Sequence, residues 1–141
     1  MHIGRNSVVL AALVLAGARA GRAQDVPLSA GHYDVIVSGM PGGNTESRPR
    51  CITPEHLKYP ETIFTYAFAR KATPLPSVKV MKFSATGGRI SYEAETPTSI
   101  TRVEGTISST GFAVQRTTTP KNGKGAPITM KLEGKRTGGC Q

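Results

Sequence analysis

Arg89-Ile90-Ser91-Tyr92-Glu93-Ala94-Glu95, then Thr96-Pro97-Thr98, then Ile100-Thr101-Arg102-Val103-Glu104-Gly105-Thr106-Ile107 is the stretch that decides the fold class. In its first segment Ile90, Tyr92 and Ala94 alternate with Ser91, Glu93 and Glu95. A period of two puts the apolar set on one face and the polar set in water, the pattern of a half-buried antiparallel strand. Thr96-Pro97-Thr98 breaks the run as a turn. The second segment carries Thr101, Val103, Gly105 and Ile107 on one side, so the two read as a hairpin.

The same grammar extends both ways. Upstream, Ala85-Thr86-Gly87-Gly88 is a turn, and Val78–Ser84 is a strand whose alternation fails at Val80-Met81, as at a β-bulge. Downstream, Ser108-Ser109-Thr110-Gly111 leads to a strand over Phe112–Thr118 with Phe112 and Val114 inward. A glycine-rich loop, Pro120–Gly125, leads to a last strand over Pro127–Gly134, where Ile128, Met130 and Leu132 alternate with Thr129, Lys131 and Glu133. Nearer the start, His32–Ser38 places Tyr33, Val35 and Val37 on one face, and Thr45–Arg50 reads as an exposed strand.

Thr53-Pro54-Glu55-His56-Leu57-Lys58 is the one helical start. Thr53 caps free amides, Pro54 suits the first helical position, and Glu55 complements the positive helix end. Tyr59-Pro60 is expected to stop it. Thr62–Ala69 reads as a strand with Phe64, Tyr66 and Phe68 on one face, serving either as core or as the wall of a site for a small apolar ligand. Arg70–Pro76, with two prolines, reads as a loop. The sum is an all-β domain, an antiparallel meander of about seven or eight strands forming a small barrel or sandwich, with one short helix near residues 53–58.

Residues 1–23 have the three parts of a cleavable export leader: a positive start with Arg5, an apolar run over Val8–Ala16, and small residues up to Ala23. The run is shorter than the roughly 20 residues a bilayer span requires. Cleavage fits after Ala20 or Ala23, with Ala23 preferred, leaving one β-rich domain over residues 24–141, periplasmic or secreted. Export places the two cysteines, Cys51 and Cys140, where thiols oxidise, so they read as one structural disulfide. That bridge clasps the helix-bearing loop after Cys51 to the closing edge of the sheet.

The chain is basic, with 18 Lys and Arg against 9 Asp and Glu. A cationic surface attracts polyanions. Here the basic residues are scattered, no run of five or six forms, and there is no Trp for base stacking, so no specific nucleic-acid signal exists. A zinc site needs several His, Cys or carboxylate ligands in register, and beyond the leader only His32 and His56 remain. No Gly-x-Ser-x-Gly elbow is present, and although Asp34 with His32 or His56 offers material for a Ser–His–Asp set, nothing in the spacing specifically supports one. Glu93 and Glu95 share a strand face and read as surface carboxylates. The expectation is therefore no catalytic residue, no metal and no cofactor.

Two stretches carry a family resemblance: near the start, Gly31-His32-Tyr33-Asp34-Val35, then Met40-Pro41-Gly42, then Cys51-Ile52-Thr53-Pro54-Glu55-His56-Leu57; and at the end, Leu132-Glu133-Gly134-Lys135-Arg136-Thr137-Gly138-Gly139-Cys140. They resemble the "G-x-W/Y-x-V", "C-I/L-T-P-E" and "G-K-R-x-G-x-C" segments of a family of small exported bacterial proteins catalogued as domain of unknown function 3617. The resemblance implies export, a β-rich fold and one terminal bridge. It implies no activity. Further cysteines often found in the middle strands of that family are absent from Lys71–Glu95.

The functional expectation is a non-enzymatic binding or envelope-associated module, with a hydrolase-type enzyme or a cationic polyanion-binding protein as alternatives. Intact-mass measurement of the exported protein is expected to find a chain beginning at Gln24. A chain beginning at Gly21 would move cleavage to Ala20, and one retaining Met1 would remove the leader reading.

Overall fold

In the computed structural model, which describes residues 26–65 and 77–141, the expected antiparallel β domain is a single seven-stranded sheet. The strands are β1 (Gly31–Ser38), β2 (Glu46–Ile52), β3 (Lys79–Thr86), β4 (Arg89–Glu95), β5 (Ser99–Ile107), β6 (Gly111–Pro120) and β7 (Ile128–Gly138). Their order is β2-β1-β7-β6-β5-β4-β3, every pair antiparallel. The sheet ends on β2 and β3 and does not close into a barrel. Two short helices, α1 (Pro54–Lys58) and α2 (Glu61–Phe64), follow β2.

Alternation decides the faces as the sequence implies. Tyr33, Val35 and Val37 on β1, Ile90, Tyr92 and Ala94 on β4, Val103 and Ile107 on β5, Phe112 and Val114 on β6, and Leu132 on β7 are all buried in one core. Val26 and Leu28, just before β1, join it, and Ser29 N–H donates to the Ser109 carbonyl. The segment carrying α2 lies against this face. Phe64 is fully buried and meets Phe112 edge-on at 5.1 Å, while Tyr92 Oη contacts Thr65 Oγ1 at 2.7 Å. Gly134 makes room for this packing. A Cβ there would fall 2.3 Å from the Phe112 ring, so the ring lies over the bare backbone of its cross-strand partner.

Four expectations need correction. Thr62–Ala69 does not begin as a strand: Glu61–Phe64 is helical, so the described residues hold two helices and not one. The remainder of that predicted strand, with Tyr66 and Phe68, and the Arg70–Pro76 loop lie outside the described residues. The bulge in β3 falls between Met81 and Ser84 rather than at Val80-Met81, and Lys82 takes a left-handed φ of 55° there. The last strand runs four residues past Gly134, to Gly138, because its far end pairs with β1 (Tyr33↔Arg136, His32↔Gly138).

That pairing also removes β7 from the edge. It lies between β1 and β6, and the Cys51–Cys140 disulfide therefore reaches from edge strand β2 across the start of β1 to the tail of β7. Its Cα atoms are 5.6 Å apart, and His32 pairs with Cys51 on one side and Gly138 on the other. Both edges carry features that discourage further pairing: Pro49 in β2 and the Lys82 bulge in β3.

With cysteines 89 residues apart, the chain-entropy model gives the bridge about 4–5 kcal/mol. Cys140→Ser is expected to lower Tm by more than about 10 °C. An unchanged Tm would show that strand pairing alone holds the chain ends.

Candidate functional site

The residues singled out by sequence mostly have structural duties. Thr53 Oγ1 accepts from His56 N–H at 3.4 Å, and His56 Nδ1 accepts from Thr53 N–H at 3.0 Å. This is a capping box with histidine in the place usually held by Glu or Gln. His32 Nδ1 lies 2.7 Å from Thr137 Oγ1, fastening β1 to the end of β7. Glu95 and Lys121 form an ion pair at 2.5 Å, which lowers the Glu95 pKa through its hydrogen bond to the ammonium and its charge. Glu93 pairs with Lys82 at 3.5 Å. Among the described residues no three of His, Cys, Asp and Glu stand close enough to hold a metal ion.

The aromatic stripe is not brought together as a ligand wall. Phe64 is committed to the core, and Tyr66 and Phe68 lie outside the described residues. Arg116 is a residue that strand periodicity did not single out. It projects from the inner face of β6, and its Nη1 donates to the carbonyls of Phe64 (3.3 Å) and Thr65 (2.7 Å), while Nη2 reaches Met130 Sδ at 3.3 Å. Burial lowers its pKa, and the guanidinium satisfies the free carbonyls at the end of α2. Tyr33 is the matching anchor at the other end of the core. Its hydroxyl donates to the Ser29 carbonyl at 2.6 Å, and burial raises its pKa against the opposing pull of Arg136.

The relief that remains is on the outer face. A recess of about 530 Å³ spans β4 to β7, lined by Arg89, Ser91, Glu104, Thr106, Ala113, Gln115, Lys131 and Glu133. A neighbouring recess of about 510 Å³ is lined by Asp34, Ile36, Gly111 and Lys135 and shares Ala113 and Glu133 with the first. Together they form a trough running across the strands from β4 to β1. Its floor is low because Ala113 and Gly111 carry little bulk. At Gly105 the β5 and β6 backbones approach so closely that a Cβ would fall 2.1 Å from the Ala113 carbonyl oxygen. In the first recess hydroxyl, amide and charged groups of both signs share the walls about equally with apolar atoms, while the second is mostly apolar, with exposed Ile36, and carries its charges at Asp34, Glu133 and Lys135. No sequence signal predicts it, since the register of five strands assembles it.

Searches of family models, of curated proteins and of solved structures find no match to this chain. The resemblance to domain of unknown function 3617 rests on the quoted motifs alone.

Arg116→Met keeps the stem and removes the donors, and is expected to cost about 1–3 kcal/mol in urea unfolding, with Arg116→Lys recovering part. Equal stability of all three forms would mean that α2 needs no cap from β6.

Proposed function

We propose that this protein is an exported, disulfide-clasped β module that binds a ligand on the outer face of its sheet and does not transform it. Export is supported by the leader pattern in residues 1–23 and by a disulfide whose two cysteines are both exposed, an arrangement that persists in oxidising compartments. Binding is supported by one observation above the others. The inner face is filled by Tyr33, Phe64, Tyr92 and Phe112, while the outer face holds a trough whose charged groups are mostly without partners.

The ion pairs among the described residues engage Glu46, Glu55, Glu93, Glu95 and Glu104. None engages Arg89, Lys131, Glu133, Lys135 or Asp34, all of which line the trough. The strand register fixes where these exposed side chains leave the sheet, so a ligand would bear the cost of ordering the side chains, about 0.5–1.5 kcal/mol each, and not the backbone. The matched signs of charge in the trough argue against a polyanion as its ligand.

The test is a titration of isotope-labelled protein, residues 24–141, with a small-molecule extract of the exported compartment, followed by amide chemical shifts. Shifts clustered on Glu104, Gln115 and Glu133 are expected, with no new mass arising from the bound compound. Shifts confined to other faces, or turnover of the compound, would overturn the reading.

A further inference from the structure

The charges of the trough are sorted along its length. At the β4 end stands Arg89, and the nearest acid, Glu104, already faces Arg102 at 3.8 Å, so the cation is left in excess. At the β1 end stand Asp34 and Glu133. Of the acidic residues among those described, five are in ion pairs and Glu61 is buried, and Asp34 and Glu133 are the two left over. Both open onto this end. Glu133 has Ile36 and Ala113 as its cross-strand neighbours and Lys131 and Lys135 two residues away on the same face of β7, with no ion pair to either. Lys135 is opposite Asp34 in register, yet no ion pair joins them. Lys131 stands between the two ends.

Counting Lys135, the β1 end holds two acids and one base, an excess of one negative charge, and Arg89 leaves one positive charge at the β4 end. From β4 to β1 the trough crosses four interstrand spacings, roughly 19 Å at about 4.8 Å each. An extended chain of five residues reaches at most about 18 Å. Between the ends, Ser91, Thr106 and Gln115 offer hydrogen-bonding groups to a backbone, and Ala113 with Gly111 leaves room for small side chains only.

We infer that the ligand is a short extended peptide of about five small residues with both termini free, its carboxylate at Arg89 and its ammonium at Asp34 and Glu133. This rests on the outer face being the binding face. A free carboxylate gains a bidentate guanidinium partner at one end, and a free amine gains two acids at the other. A peptide blocked at either terminus leaves one of those charges unanswered.

The experiment is calorimetric titration of the residue 24–141 protein with penta-alanine, N-acetyl-penta-alanine and penta-alanine amide at low salt. Penta-alanine is expected to bind, and each blocked form to bind at least about tenfold more weakly. In Arg89→Gln, amidation should cease to matter while acetylation still does, and Asp34→Asn should show the converse. Both positions are on the outer face, and circular dichroism checks that the variants stay folded. Equal binding of all three peptides would overturn the recognition of termini. No heat from any peptide, while compartment extract still shifts trough amides, would overturn the peptide and leave the binding face standing. Neither heat nor shifts would overturn both.

Discussion

The pairing of the first strand with the last is the constraint on which the rest of this structure depends. From β3 to β7 every strand pairs with its neighbour in sequence through a short connection, and such hairpins close at little entropic cost. The β1–β7 pair is different, because it joins residues near 32 to residues near 138. Until it forms, Tyr33, Val35 and Val37 have no strand on that side, and Leu132 has only β6. The disulfide lies at this junction and reduces the freedom the unfolded chain must surrender there. The fastening is redundant: His32 meets Thr137, Arg136 Nε donates to the Ala30 carbonyl at 3.0 Å, and Arg136 N–H donates to Thr110 O.

This junction gives the three sequence motifs a common meaning. Gly31–Val35, Cys51–Leu57 and Gly134–Cys140 are far apart in the chain and meet at one corner of the fold, where β2, β1 and β7 lie side by side and α1 begins. Cysteine, threonine and histidine in such motifs invite a catalytic or metal-binding reading. Here the cysteines are bonded to each other, and the threonine and histidine cap a five-residue helix. Their chemistry is spent on closure, and a search for function has to look elsewhere on the molecule.

Much of the sheet was legible because a half-buried antiparallel strand writes its burial in alternate residues. Arg89–Glu95 and His32–Ser38 could be read directly, and their inward residues are the buried ones. The reading failed where that code is ambiguous. Thr62, Ile63 and Phe64 are β-branched or aromatic, yet they form one helical turn, too short for a period of 3.6 to show. Its stability comes from tertiary packing: Phe64 on Phe112 and Arg116 on its last carbonyls. Pro60, expected only to end α1, also opens α2 as its N-cap. Gly134 looked like the end of a strand and is instead a gap filled by the Phe112 ring. The trough was illegible for a related reason. Its lining residues come from β4, β5, β6, β7 and β1, and only the strand order places Arg89 and Asp34 on one continuous surface.

Charge placement then separates the two faces and the two halves of the outer one. A chain with twice as many basic as acidic residues has few carboxylates to spend, and most of them neutralise lysine or arginine at the periphery. Glu95 holds Lys121 and Glu93 holds Lys82, securing β4 to the β6–β7 loop and to the bulged edge strand. Exposed pairs of this kind contribute little to stability, so their main effect is to leave the periphery less cationic. Among the described residues, the exposed acids not used in this way, Asp34 and Glu133, stand where β1 and β7 meet, beside the junction that the disulfide closes. The strand register sets Asp34 opposite Lys135 and Glu133 between Ile36 and Ala113, so the backbone itself fixes where each charge leaves the sheet. Closure of the chain ends and the open charges of the outer face are on this view one device, since the pairing that completes the core also fixes the spacing of the groups that remain unpaired outside it.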